Sequence, residues 1–486
     1  MAIKQNVEVA ENNYQVDIRV ALILEKDKVE DDGYAVQYHT RKNKGHQWIL
    51  YLTTFVTVCG SFAFGSCIGF SSPIQSAITE DLNLTLAEYS LFGSILNFGA
   101  MIGAITSGRI ADFTGRKGAL RVASSFCTAG WLAIYFAEGP LSLNIGRLAT
   151  GYGMGVYSYV IPVFIAEISP KHLRGALTTT NQLMIICGIS FAFIIGTAIT
   201  WRTLALTGII PCAVLLLGLP IVPESPRWLA KNGDQEKFLI ALQRLRGKEA
   251  DISEEATEIQ DYIRSLAKLP KSKLMDLFQK RYLRSIIIGV GLMFTQQLGG
   301  INGVCFYVRD IFESAGFPSD TGTIIYACLQ VVVTALGALV IDRAGRKPLI
   351  LASASGLVVG CILTGSSFYL KTYELAVKVT PALAVSGILV YIGSFSIGMG
   401  AVPWVIMSEI FPLDIKGSAG SLATLANWST SWAVSYTFNF LISWSSYGTY
   451  IIYGTINAIS ILFILVVVPE TKGRTLEEIQ AAINAS

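Results

Sequence analysis

An apolar stretch that begins near Ile286 carries Gln296, Gln297 and Asn302, with Gly299, Gly300 and Gly303 set among them. A side-chain amide both donates and accepts hydrogen bonds, and lipid offers it no partner. Polar groups kept in such a run face a water-filled path or a ligand, or they glue one helix to another. On a continuous helix Gln296 and Asn302 stand about 240° apart, and Gln297 and Asn302 about 140°, at roughly 100° per residue. The polar face is therefore broad. The glycines allow the helix to unwind locally or to be approached closely. Uncharged amides in this arrangement suit a ligand covered in hydroxyls.

A second group of residues can tie helix ends together. Asp112 sits with Arg109, Arg116 and Lys117, and Asp342 sits with Arg343, Arg346 and Lys347. Glu167 and Glu409 close two apolar runs, and Arg174 and Lys416 open the runs that follow. Exposed ion pairs are worth only about 0–1 kcal/mol each. A network of them can still bias two conformations that lie a few kcal/mol apart.

The elements that must position these residues are apolar. The chain has 486 residues, of which 52% are hydrophobic and 15% charged, and its mean hydropathy is +0.52. A soluble protein of this size carries more charge. With ~20 apolar residues needed per crossing, twelve spanning helices are expected, near 48–70, 88–107, 118–137, 140–164, 176–199, 202–222, 284–312, 322–341, 347–370, 380–407, 417–440 and 445–468. Of the 37 Lys and Arg, only Arg202, Arg309, Lys371 and Lys378 fall in loops after odd-numbered spans, and Arg147 lies inside the fourth. The positive-inside rule then puts both termini in the cytosol.

Three motifs recur in order. GRIADFTGRK (108–117) returns as DRAGRK (342–347), EISPKHLRG (167–175) as EIFPLDIKG (409–417), and PESPRWL (223–229) as PETKGRTL (469–476), at offsets of 230, 242 and 246 residues. The repetition predicts an all-α membrane protein of two homologous six-helix halves, 48–222 and 284–468. Residues 223–283 read as a linker of cytosolic amphipathic helices, acting as a gate, a brace or a plain connection. Residues 1–47 read as a disordered cytosolic tail with an apolar Leu22-Ile23-Leu24 patch, and 469–486 as a second cytosolic tail. The eight Cys are scattered through the spans without a CxxC pair and read as packing residues. The three His, His39, His46 and His172, form no ligand cluster, so no metal, cofactor, nucleic-acid partner or enzymatic activity is expected. Asn83-Leu84-Thr85 is a sequon in the first non-cytosolic loop, open to glycosylation, whereas Asn427-Trp428-Ser429 lies within a span.

Taken together, GRIADFTGRK, Gly146-Arg147, PVFIAEISPKHLRG, PESPRWL, QQLGGIN, DRAGRK, VPWVIMSEIFP and PETKGRT resemble the sugar porters of the major facilitator superfamily across nearly all of residues 48–480. FGSCIGFSSP (64–73), a short loop between spans 9 and 10 and the acidic N-terminal tail resemble the plant early-responsive-to-dehydration subfamily, and also the intracellular animal hexose facilitators. The resemblance implies a sugar site of Gln182, Gln296, Gln297, Asn302, Trp404 and Asn427, with Gln330 as a weaker match. It implies that the charged motifs are an intracellular salt-bridge gate. Trp404 follows Pro403, where a helix can break and an indole can cover a sugar ring. Trp428 and Tyr307 are candidate gate aromatics, although belt or core packing explains such residues equally well.

In proton-coupled members of the resembled family, an acid in span 1 stands near an Arg in span 4. Here Ser71 occupies the acid's place, and Arg147 is expected to bond span 1 and nearby carbonyls. Facilitated diffusion of a glucose-like hexose is therefore favoured. Proton-coupled export from the vacuole is the alternative, and a non-transporting sugar sensor is a rival of another class. The resemblance favours the vacuolar over the plasma membrane.

Overall fold

The computed structural model describes residues 48–268, 277–376, 378–412 and 415–472. The expected tail at 1–47 lies outside these residues, as do residues 473–486 of the expected tail at 469–486 and the side chains of Asp342 and Arg343. Every regular element among the described residues is helical. In chain order they are α1 (Trp48–Gly69), α2 (Ser71–Leu82), α3 (Leu86–Tyr135), α4 (Pro140–Ile168), α5 (Arg174–Gly196), α6 (Trp201–Thr207), α7 (Ile209–Gly218), α8 (Pro226–Lys231), α9 (Gln235–Arg246) and α10 (Ser253–Lys268). There follow α11 (Lys280–Leu298), α12 (Ile301–Phe306), α13 (Val308–Ala315), α14 (Ser319–Ala344), α15 (Arg346–Thr372), α16 (Thr380–Ser394), a π turn (Phe395–Met399), α17 (Val402–Ile410), α18 (Lys416–Trp444) and α19 (Ser446–Val467).

Apolar runs coil because lipid gives backbone groups no partner but one another. Nine helices among the described residues are long and apolar enough to cross a membrane. Large apolar side chains such as Ile105, Leu217, Leu339 and Val466 stand exposed on the outside, as a surface facing lipid tails requires.

Four expected spans take a different form. The separate spans at 88–107 and 118–137 belong to one 50-residue helical run, α3. At ~1.5 Å per residue it is about 75 Å long, over twice the ~30 Å hydrocarbon core. Gly115, at φ 80° and ψ 173°, kinks it into two arms, 86–114 and 116–135. The expected span at 284–312 is broken at Gly300 and again at Tyr307. The span at 380–407 is interrupted by the π turn just before Pro403.

The arms of α3 pack on α4, and α3 also packs along α18. α5 packs on α1 and on α14, and α11 lies against α18. Asp112, Arg116, Glu167 and Glu224 gather beside the α3 kink and the C-terminus of α4, and Arg346 and Glu409 meet at the N-terminus of α15 and the C-terminus of α17; these regions are here termed the charged end. The N-termini of α3 and α14 and the C-terminus of α18 mark the far end.

Helices α8–α10 form their own small core around Phe238 and Leu242, both fully buried, with Leu229, Ala241, Ala256 and Ile259. Polar bonds fasten this unit to the charged end. Arg246 donates to the Ile168 carbonyl at 2.8 Å, Lys171 pairs with Glu258 at 2.8 Å, and the Trp228 indole donates to the Asp112 carbonyl at 2.9 Å. Leu242→Ala should cost this core about 2–5 kcal/mol. Limited proteolysis should then cut within 223–268 faster than in the parent protein. Unchanged cleavage would show that these helices are held from outside their core.

Candidate functional site

The amides of the QQLGGIN stretch meet because α11 ends where it does. Gly299 closes the helix and Gly300 takes φ 101°, a left-handed backbone that suits glycine. The kink turns α12 so that Asn302 donates to Gln297 Oε1, a contact that a continuous helix would put out of reach. The break leaves the Gly299 carbonyl without its helical partner. Tyr391 Oη donates to it at 2.9 Å and Asn457 Nδ2 at 3.3 Å.

A second break supplies the other wall. In a regular helix the residue at 403 would donate to the Met399 carbonyl, but Pro403 has no N–H. Gln296 Nε2 donates there instead, at 2.7 Å, and to the Gly400 carbonyl at 3.0 Å. Asn427 Nδ2 donates to Gln296 Oε1 at 2.8 Å. Gln297 Nε2 donates to Asn427 Oδ1 at 3.3 Å. Asn302 Nδ2 also reaches Ser431 Oγ at 2.6 Å. The result is a directional relay, Asn302 to Gln297 to Asn427 to Gln296 to two carbonyls. It contains no charge and joins three helices and the π turn.

The other expected site residues stand apart from this relay. Gln330 is buried with its Oε1 unpartnered. Gln182 and Trp404 are half-buried and take no part in the relay's bonds. The helices of Gln182 and Gln330, α5 and α14, pack together and are bonded through Ser190 Oγ and the Ala327 carbonyl at 3.0 Å. Trp428 is buried, its indole N–H has no partner, and its ring lies 6.2 Å from that of Phe64. Tyr307 stacks on Phe438 at 5.2 Å and meets Tyr89 edge-on at 6.2 Å. Arg147 is fully buried. It donates to the Cys67 carbonyl at 2.8 Å and to the Ser71 hydroxyl, and it lies 5.1 Å from the Phe92 ring centre. Asn83 is exposed, at φ 48° in the cap of α2.

The charged motifs form two rings of the same design. In the first, Arg116 grips Glu167 through two bonds of 2.8 Å, and Ser225 Oγ donates to Glu167 at 2.6 Å. Glu224 accepts from the backbone N–H groups of Arg116, Lys117 and Ser225. In the second, Arg346 bonds Glu409 at 3.1 Å, and Thr471 Oγ1 donates to it at 2.6 Å. Glu470 accepts from the N–H groups of Arg346, Lys347 and Thr471. The carboxylates Glu224 and Glu470 are members that the charge reading passed over. Their signal was the repeated Pro-Glu-Ser/Thr.

Three expected members stand outside. Arg109 is exposed and makes no ion pair among the described residues, since Asp112 is taken by Arg116 at 3.5 Å and Lys231 at 3.1 Å. Arg174 does not reach Glu167, whose two oxygens are filled by Arg116 and Ser225, and its own buried Nε is unpartnered. Lys416 likewise donates to the Ser408 carbonyl at 2.8 Å.

Two measurements follow from these contacts. A Cβ on Gly300 would lie 2.7 Å from the Tyr453 ring, and a left-handed backbone costs a non-glycine residue about 1–2 kcal/mol. Gly300→Ala should therefore lower the melting temperature in detergent, and an unchanged value would mean that the break relaxes freely. The second measurement concerns the rings. Burial pushes the Glu224 carboxyl above its ordinary range, against the pull of the Ser225 and Lys117 N–H bonds. Glu470 is also raised by burial, but its N–H bonds from Lys472, Lys347, Arg346 and Thr471 win and hold it below that range. Glu470 thus contributes stability above its unfolded value that is lost as pH falls through its depressed value. Folding instead favours the protonated form of Glu224, whose ionisation costs stability as pH rises through its raised value. On acidification, infrared difference spectra against Glu224→Gln and Glu470→Gln should show Glu224 taking up its proton first. The reverse order would contradict the burial argument.

Comparison with known proteins agrees with this architecture. The family described as "Sugar (and other) transporter" matches residues 53–483. Sugar transporter ERD6-like 7 of Arabidopsis thaliana is 67% identical over 437 residues, covering 90% of this chain and 94% of the relative. Sugar transporter ERD6-like 16 of the same plant is 58% identical over 463 residues, covering 94% and 96%. Among solved structures, the proton:xylose symporter XylE bound to 6-bromo-6-deoxy-D-glucose aligns with a TM-score of 0.74 at 28% identity, over 90% of this chain and 99% of that one. The inward-open xylose transporter XylE from E. coli aligns with a TM-score of 0.76 at 28% identity, over 89% and 99%. With a family match over most of its length and relatives this similar, the chain belongs to the sugar (and other) transporter family, among the ERD6-like sugar porters of the major facilitator superfamily.

Proposed function

We propose that this protein carries monosaccharides, with glucose-like hexoses as first candidates, by alternating access of residues 48–222 and 284–468 around a central site. The observation that carries this reading is the uncharged amide relay of Gln296, Gln297, Asn302 and Asn427, built on two helix breaks. Hydroxyls of a sugar can replace amide partners one for one, because each sugar hydroxyl donates and accepts. Such an exchange of bonds yields little net energy per bond, which suits a carrier that must release its cargo. Gln182, Gln330 and Trp404 complete the site in this reading, with Trp404 covering a face of the ring. Trp428 and Tyr307 gate it. The names of the relatives and of XylE support a sugar as the cargo.

Twelve crossings are the arrangement that fits. The nine apolar helices supply ten if α3 crosses twice, and the broken run from Lys280 to Ala315 and helix α18 supply the rest. The hydropathy of α18 is diluted by its many Ser, Thr and Asn. The charged end is cytosolic, with both termini, and the two rings act as paired braces of the halves. Helices α8–α10 of the linker dock under the first half, and the membrane is that of the vacuole.

Facilitated diffusion is the preferred mode, because the buried Arg147 is bonded to a carbonyl and the Ser71 hydroxyl where coupled relatives place an acid. One observation favours proton-coupled export as a second reading. Asp310 lies on α13 near the far end, and its Oδ2 is buried and unpartnered. Uptake of labelled glucose and fructose into proteoliposomes separates the two. Saturable flux that ignores a pH gradient is expected, and flux that follows the gradient selects the coupled mode. Absence of saturable flux in either condition would sink the sugar reading. Gln297→Ala should weaken half-saturation by about two- to tenfold, the worth of one buried hydrogen bond.

A further inference from the structure

Helix α18 carries Asn427, Ser431, Ser435 and Asn439, one polar residue in every four, a spacing that puts all of them on one face. All four are buried, at 3%, 1%, 0% and 7% exposure. Their partners change along the helix. Asn427 serves the amide relay through Gln296 and Gln297. Asn439 Nδ2 donates across to Ser90 Oγ at 3.1 Å, and Ser435 Oγ accepts from Asn97 Nδ2 at 2.9 Å. Ser90 and Asn97 lie seven residues apart on α3, about two turns, so two polar stripes face each other between the halves.

Ser431 belongs to both systems. Its Oγ accepts from Asn302 at 2.6 Å, and its carbonyl accepts from Asn97 Nδ2 at 3.3 Å and from Ser435 Oγ at 2.7 Å. Further toward the far end, Arg309 spans the same divide. Its N–H donates to Ser72 Oγ at 3.1 Å and its guanidinium to the Pro73 carbonyl at 2.9 Å, while Asp320 holds it at 2.9 Å. At the charged end, by contrast, the ion pairs of described residues stay within one half and its linker. The two halves are thus bonded together on the far side of the relay.

We propose that Ser431 is a positioning residue that couples the amide site to the far-end latch formed by Asn97, Ser435, Asn439 and Ser90. A ligand that draws Asn302 away from Ser431 removes the bond steadying that turn of α18, and the turn is the one that Asn97 grips. Binding from the charged end and opening of the far end then share one residue. This inference rests on the alternating-access reading. Failure of that reading would show as absence of hexose flux in the parent protein, whereas the coupling is tested with no sugar present.

The test is hydrogen exchange of the full-length protein in lipid nanodiscs, read at residues 86–97 and 435–444. Asn302→Ala should raise far-end exchange by about two- to tenfold, the change expected from one lost buried hydrogen bond. Ser431→Ala should raise it similarly, and adding Asn302→Ala to Ser431→Ala should raise it no further, because the two act through one contact. Ser431→Thr keeps the hydroxyl and should restore the response to Asn302→Ala. Exchange around Arg116 and Glu167 should stay at the parent level in every variant, which separates local opening from general unfolding. An unmoved far end in Asn302→Ala, or an undiminished further rise in the double variant, would overturn the proposal.

Discussion

A carbonyl or amide released from a helix inside lipid must find another partner, and the centre of this protein is organised by that demand. Two helices break there. Gly300 releases the Gly299 carbonyl, which Tyr391 and Asn457 satisfy, and Pro403 releases the Met399 carbonyl, which Gln296 satisfies. Gln296 then needs a donor for its own oxygen, and Asn427 supplies it. Each amide recruits the next until the chain ends at Ser431. The amides stabilise the broken helices first, and their capacity to read hydroxyls follows from the same groups. In the proposed reading a relay satisfied without ligand also limits affinity, because a sugar would exchange bonds and not add them.

The periphery obeys a different constraint. Helix ends at the charged end must cap their backbone N–H groups and hold neighbouring helices in register. Both halves meet it with the same parts: an Arg on a Glu, a Ser or Thr hydroxyl on that Glu, and a second Glu collecting backbone N–H groups. Gly115 and Gly345, at φ 80° and 91°, turn the chain at equivalent points. The bonds of each ring join residues of its own set of repeated motifs, which under the proposed alternating access leaves each set free to move as a body.

Much of this was legible in the sequence. The misplaced amides and glycines of QQLGGIN marked the break, and the three repeated motifs marked the two rings. What escaped depends on three-dimensional closure. A bond from Asn302 to Gln297 runs against helical spacing and needs the Gly300 kink. Arg109 and Arg174 carry the right charge in the right motif, but the carboxylates they would need are already filled. The membership of Glu224 and Glu470 could have been read from their repetition. The stripe of Asn427, Ser431, Ser435 and Asn439 was visible as a period of four. Its meaning was not, because the partners on α3 lie more than three hundred residues away.

The central claim is that the relay of Asn302, Gln297, Asn427 and Gln296 is the place where hydroxyls bind. A cryo-electron microscopy structure of the protein with saturating glucose tests it most directly. The result expected is a sugar whose hydroxyls replace the bonds from Asn302 to Gln297 and from Gln297 to Asn427, with Gln296 still capping the Met399 carbonyl. A sugar bound elsewhere with the relay intact would contradict the account.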